Sequence, residues 1–76
     1  MNSEMVAQMI RAGLPGAEVT VTSADGVHFE ARIISASFAG QTTLQRHRAV
    51  YATLGEYMGR EIHALALRTD VPQSGE

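Results

Sequence analysis

The feature that most constrains this chain is a period of two that runs from Ala17 to Ile33. Ala17, Val19 and Val21 alternate with Glu18, Thr20 and Thr22, and after Asp25-Gly26 the residues Phe29, Ala31 and Ile33 alternate with Glu30 and Arg32. Successive side chains of a strand point to opposite faces, so the alternation gathers one apolar face and one polar face. Asp-Gly between two such runs is turn chemistry. The stretch therefore predicts a β-hairpin with one buried face.

The flanking segments carry a different period. Met5, Val6, Met9 and Ile10 recur at helical spacing after Ser3, which can serve as N-cap, and Gly13-Leu14-Pro15-Gly16 ends that helix. Gly13 fits a left-handed position after the last turn, with Leu14 folding back toward Met9. Ser35 to Gln41 loses both periods and carries Gly40, which predicts a loop or short turn. Thr42 or Thr43 can cap a second helix that runs to about Met58, with Gly59 as its stop, and Ile62 to Thr69 is an apolar-rich third strand. The order α, β, β, α, β predicts a two-layer α+β fold in which two helices cover one face of a three-stranded sheet. With 76 residues the chain encloses one small core and makes a single domain, 1–76, with flexible ends at 1–2 and 70–76.

Composition removes several classes of function. Eight acids stand against six arginines with no lysine, a formal charge of −2, which argues against holding a polyanion by bulk electrostatics. The chain has no cysteine, so disulfides are excluded and any metal must be held by nitrogen, oxygen or a partner's sulfur. No apolar run approaches the roughly 20 residues of a membrane span, and the N-terminus lacks a signal-peptide pattern; the expectation is a soluble, cytoplasmic protein that does not contact membrane. No nucleophile elbow, phosphate loop or zinc spacing is present, and Glu30, Glu56 and Glu61 have no partner at a spacing that implies carboxylate catalysis. An enzyme is not expected. The three histidines, His28, His47 and His63, form the chemical inventory.

Phe38-Ala-Gly40, Arg46-His47-Arg48-Ala-Val50-Tyr51 and Ile62-His63-Ala64-Leu65 follow one another in an order and spacing that resemble the BolA family, and the likeness extends over about Ala17 to Leu67. The resemblance implies an αββαβ fold related to the second type of KH domain, in agreement with the element order read from periodicity. It implies a non-enzymatic role: pairing with a monothiol glutaredoxin around a bridging [2Fe-2S] cluster, completed by glutathione, in iron-sulfur trafficking or iron sensing. No cofactor is expected in the isolated protein, which would be a monomer or weak homodimer. Some bacterial members are described as transcriptional regulators, which supplies the alternative of a DNA-binding domain using the KH-like fold.

On that resemblance, the family's shared C-terminal histidine falls on His63. By parity His63 goes with Leu65 and Leu67 at the mouth of its strand, and a ring fixed there with an open nitrogen is what a cluster iron needs from a ligand that is not cysteine. His28 is the second candidate: it follows the hairpin turn, shares parity with Glu30 and Arg32, and stands in the loop where the family carries Cys or His. Such a site is expected to weaken at low pH, because protonating an imidazole removes its ligating lone pair. His47 instead falls on a helical stripe with Leu44, Val50, Tyr51, Leu54 and Met58, which predicts a buried or half-buried ring tied to the backbone. Arg46 and Arg48 lie on different faces of that helix and would be the contacts in the DNA-binding alternative. Against that alternative, a KH domain clamps the nucleic-acid backbone with a GXXG loop, whereas Phe38-Ala39-Gly40-Gln41 holds one glycine.

Overall fold

The computed structural model describes residues 1–62 and 64–73. Helix α1 (Ser3–Gly13) leads into the hairpin of β1 (Glu18–Thr22) and β2 (His28–Ile34); a 3-10 turn (Ala36–Phe38), helix α2 (Thr43–Leu54), a second 3-10 turn (Gly55–Tyr57) and strand β3 (Ala64–Asp70) complete the order. The sheet runs β1-β2-β3, antiparallel between the hairpin strands and parallel between β2 and β3. This is the expected two-layer α+β arrangement. Burial alternates strictly along β2: Phe29, Ala31 and Ile33 are buried, whereas His28, Glu30 and Arg32 are exposed. The buried set meets Val6 and Ile10 of α1 and Val50 and Leu54 of α2, with Phe38 and Ile62 closing the ends of the same core. Polar residues lie on the opposite, uncovered face of the sheet.

The structure moves several boundaries. Asn2, not Ser3, caps α1, its Oδ1 accepting from the Met5 backbone N–H at 2.9 Å. Gly13 is not in the left-handed region, and the helix closes through Leu14 N–H on Ile10 C=O before Gly16 turns at φ 86°. Gly13 is small for another reason: a Cβ there would lie 2.5 Å from Thr53 Cγ2, so the glycine lets α1 and α2 approach closely. A single sequence cannot separate a glycine chosen for φ from one chosen for space.

Helix α2 begins at Thr42 with a capping box in which Gln45 N–H donates to Thr42 Oγ1 and Thr42 N–H donates to Gln45 Oε1. It ends at Leu54 instead of Met58. Gly55, at φ 55°, supplies the stop, and Gly59, at φ 88°, belongs to the following turn. Within the helix the buried stripe is narrower than the wheel predicts: Val50 and Leu54 are buried, Leu44 and Tyr51 are exposed. Strand β3 starts at Ala64 rather than Ile62, which makes an isolated bridge to Met58. Of the ends set aside as flexible, Asn2 serves as a cap and Asp70 pairs with Ile34.

Candidate functional site

The hairpin turn is held by side chains. The last paired residues of β1 and β2 are Thr22 and Glu30, and His28 and Phe29 pair on their other side with Ala64 and Leu65 of β3. The segment between is wider than a two-residue turn and must satisfy its own backbone groups. Ser23 Oγ donates to the His28 carbonyl at 2.7 Å and accepts from Gly26 N–H at 2.8 Å. Asp25 Oδ1 accepts from the backbone N–H groups of Val27 and His28 at 2.9 and 2.8 Å, and its Oδ2 lies 2.7 Å from His28 Nδ1. Gly26, at φ 77°, makes the reversal that lets the carboxylate reach both amides.

This constellation sets the chemistry of His28. The ring hydrogen bond, then the two backbone N–H groups, hold the Asp25 carboxyl well below the usual carboxylate range. An ionised carboxylate only accepts, so Nδ1 is the donor, and in the neutral ring the lone pair sits on Nε2. The side chain is 69% exposed. A carboxylate that fixes the tautomer and angle of an outward imidazole is the arrangement by which proteins prepare histidine for a metal. Asp25 was legible in the sequence only as a turn residue. The three-residue interval from Asp25 to His28 was the signal for its second role.

His28 and Glu30 border a hollow of about 540 Å³ on the open face, floored by Ala64 and Ala66 of β3. Two alanines opposite the long polar side chains leave that space clear. Among the described residues no group of three or more His, Cys, Asp or Glu side chains converges on one point. Among the described residues the hollow has one oriented imidazole, and the chain has no thiol, so these residues alone do not complete the coordination of a metal.

The other candidates are dispersed. His63 lies outside the described residues; the chain resumes at Ala64, which stands opposite His28 across the parallel pair, and Leu65 is buried as its parity predicts. His47 is half-buried on α2, and its ring makes no hydrogen bond among the described residues, so the expected tie to the backbone is not formed. Arg46 donates from Nε to the Gln41 carbonyl at 3.1 Å, and its guanidinium lies 5.8 Å from the centre of the Phe38 ring. It fastens the start of α2 to the preceding turn. Arg48 is exposed beside Tyr51, Ala52, Gly55 and Met58. The two arginines are not brought to one surface.

The profile of the family described as BolA-like protein matches residues 4–74. A BolA protein homologue from Coxiella burnetii superposes with a TM-score of 0.84 at 43% identity, covering 95% of this chain and 92% of that one. A protein from the rpoN-murA intergenic region of Acinetobacter guillouiae is 39% identical over 69 residues, 90% of this chain and 82% of its own. The DNA-binding transcriptional regulator BolA of Escherichia coli is 45% identical over 42 residues, 55% of this chain and 40% of its own. The chain belongs to the BolA family. Among the described residues no helix is long and apolar enough to cross a membrane.

Proposed function

We propose that this BolA family member is a non-catalytic, cytoplasmic adaptor that pairs with a monothiol glutaredoxin and lends imidazole nitrogen to a shared [2Fe-2S] cluster. The observation that carries the reading is the Asp25–His28 contact of 2.7 Å at an exposed turn, which fixes Nδ1 as donor and leaves Nε2 outward. His28, and by family resemblance His63, are the residues that would hold the cluster; glutaredoxin and glutathione would bring the sulfur. The cluster, when bound, supplies the one-electron and iron-release chemistry on which delivery or sensing depends. This chain orients its ring, offers a hollow beside it and contributes no nucleophile.

The test mixes the protein with a cluster-loaded monothiol glutaredoxin and glutathione, and follows visible circular dichroism and complex mass. A mixed complex with an altered cluster spectrum is expected, and the alteration is expected to be lost with His63→Ala and weakened with His28→Ala. A spectrum that stays that of the glutaredoxin alone would refute the proposal.

A second reading, direct DNA binding, is favoured by the name of the E. coli relative. Its contacts would be Arg46 and Arg48, of which Arg46 is already engaged with Gln41 and Phe38. That reading requires an affinity that falls steeply with salt and with Arg48→Ala.

A further inference from the structure

The outer edge of β3 carries a pattern of charge and backbone direction that fits a second copy of itself. Asp70 C=O accepts from Ser35 N–H at 3.0 Å, so the main chain of Asp70 is directed toward the β2 side. Backbone direction alternates along a strand, which leaves Leu65, Leu67 and Thr69 directing their N–H and C=O groups away from the sheet. Leu65 C=O is occupied by the Tyr51 hydroxyl at 3.3 Å, consistent with that parity. No strand among the described residues pairs with β3 on this side. Leu67 and Thr69 therefore present an open ladder. The β1 edge is the shorter one, five residues against seven, and Arg11 Nη2 donates to its Val19 carbonyl at 3.0 Å.

The side chains on the open face add the second observation. Register aligns Thr20, Arg32 and Arg68 in one row and Glu18, Ile34 and Asp70 in the next. Two arginines stand directly opposite each other, which is unfavourable across a strand pair. Neither Arg32, Arg68 nor Asp70 has an ion-pair partner among the described residues. A basic row thus ends at the free edge beside an acidic row.

We infer that β3 pairs antiparallel with β3 of a second copy, centred on Thr69, to make a continuous six-stranded sheet. Outward residues must meet outward residues, so only whole-residue centres are allowed. Centring on Leu67 calls on Leu65, whose carbonyl Tyr51 already holds. Centring on Arg68 or Asp70 sets like charges against each other. Centring on Thr69 places Arg68 opposite Asp70 of the second copy, twice by symmetry, in the close pairing that lacks main-chain bonds; Leu67 then meets Val71, and Thr69 meets Thr69. The basic row of each copy runs into the acidic row of the other. Val71 is exposed in the single chain, and so are Leu44 and Tyr51 of α2, whose Tyr51 reaches this same edge.

The test uses two single variants. Arg68→Asp places two acids opposite each other and Asp70→Arg places two arginines opposite each other, so each alone is expected to raise the dimer dissociation constant ~10-fold or more, whereas their equimolar mixture restores association because both cross-pairs become complementary. Sedimentation velocity over about 5–500 µM reads all three, with far-ultraviolet circular dichroism confirming that each variant is folded. Wild-type dimer, weakened variants and a recovered mixture would support the pairing. A wild type that stays monomeric throughout, or a mixture no more associated than its components, would overturn it. A dimer indifferent to both variants would also overturn it, since the contact would lie elsewhere.

Discussion

The two faces of the sheet are made by the same three strands and obey different rules. On the helix-covered face, Phe29, Ala31, Ile33 and Leu65 are buried, and what matters is shape. On the open face, His28, Glu30, Arg32, Arg68 and Asp70 stand in solvent at the intervening positions, and what matters is charge and reach. A single residue step separates Phe29, at 2% exposure, from the His28 ring. Burial and exposure are therefore divided by parity, and a change on one face is expected to have little effect on the other.

That division breaks if a truncation on the covered face is tolerated. Phe29→Ala is expected to cost about 3–5 kcal/mol, a large share of the stability of a domain this small, as read by urea unfolding. The helix seam comes next. Gly13→Ala would gain up to about 1 kcal/mol of helix propensity, but its Cβ would meet Thr53 Cγ2 and Cβ at 2.5 and 2.8 Å. Thr53 cannot easily turn aside, because its Oγ1 donates to the Val50 carbonyl. The clash should win, with a net loss of about 1–3 kcal/mol, partly relieved when Thr53→Ala is added. An unchanged Gly13→Ala would mean that the helices simply separate.

Smaller effects are expected at the turn. Asp25→Ala should leave the unfolding midpoint of the core little changed while speeding hydrogen exchange at the Val27 and His28 amides, since both donate to that carboxylate. Acid should act on the same contacts. Asp25 is depressed in the folded protein, so its contribution is complete above its ordinary value of 3.8, declines as pH falls below that value, and is lost once the folded carboxyl itself protonates. Protection of these amides, taken as exchange relative to the intrinsic rate at each pH, is expected to fall on acidification, and less so in Asp25→Ala, where the titrating group is gone. Smallest of all, Glu30→Ala on the open face should shift stability by no more than about 0.5 kcal/mol. A loss comparable to that of Phe29→Ala would show that the open face belongs to the folding core.

Much of the fold was legible because burial enforces a period. Ala17 to Ile33 announced the hairpin, and Thr42 or Thr43 announced the start of α2, where the structure adds Gln45 as the second half of the cap. The motif residues that mark the family are largely scaffold: Phe38, Val50, Ile62 and Leu65 are buried, Gly40 turns at φ 78°, and Arg46 lies over Phe38. They identify the fold more directly than they identify a reaction. The site was legible in part. His28 could be placed on the polar face from parity alone, whereas its partner Asp25 looked like a turn residue, because a turn and a histidine clamp use the same carboxylate. His47 is half-buried as the helical wheel predicts, but its expected tie to the backbone is not formed, because a wheel gives the face of a side chain and not its partners.

By itself the sequence determined the order of elements, the face on which each strand residue falls, the absence of thiol and lysine, and the family. Those depend on local period, on counting and on short motifs. Only the tertiary structure decided that Gly13 serves a close helix contact, that Gly55 and not Gly59 ends α2, that Asp25 fixes the tautomer of His28, and that Arg32 lies against Arg68 beside an acidic row. Each of these depends on residues distant along the chain, or on choices among several glycines and acids that are locally equivalent. Packing chooses between them because only one arrangement buries the apolar face while satisfying every backbone group it covers.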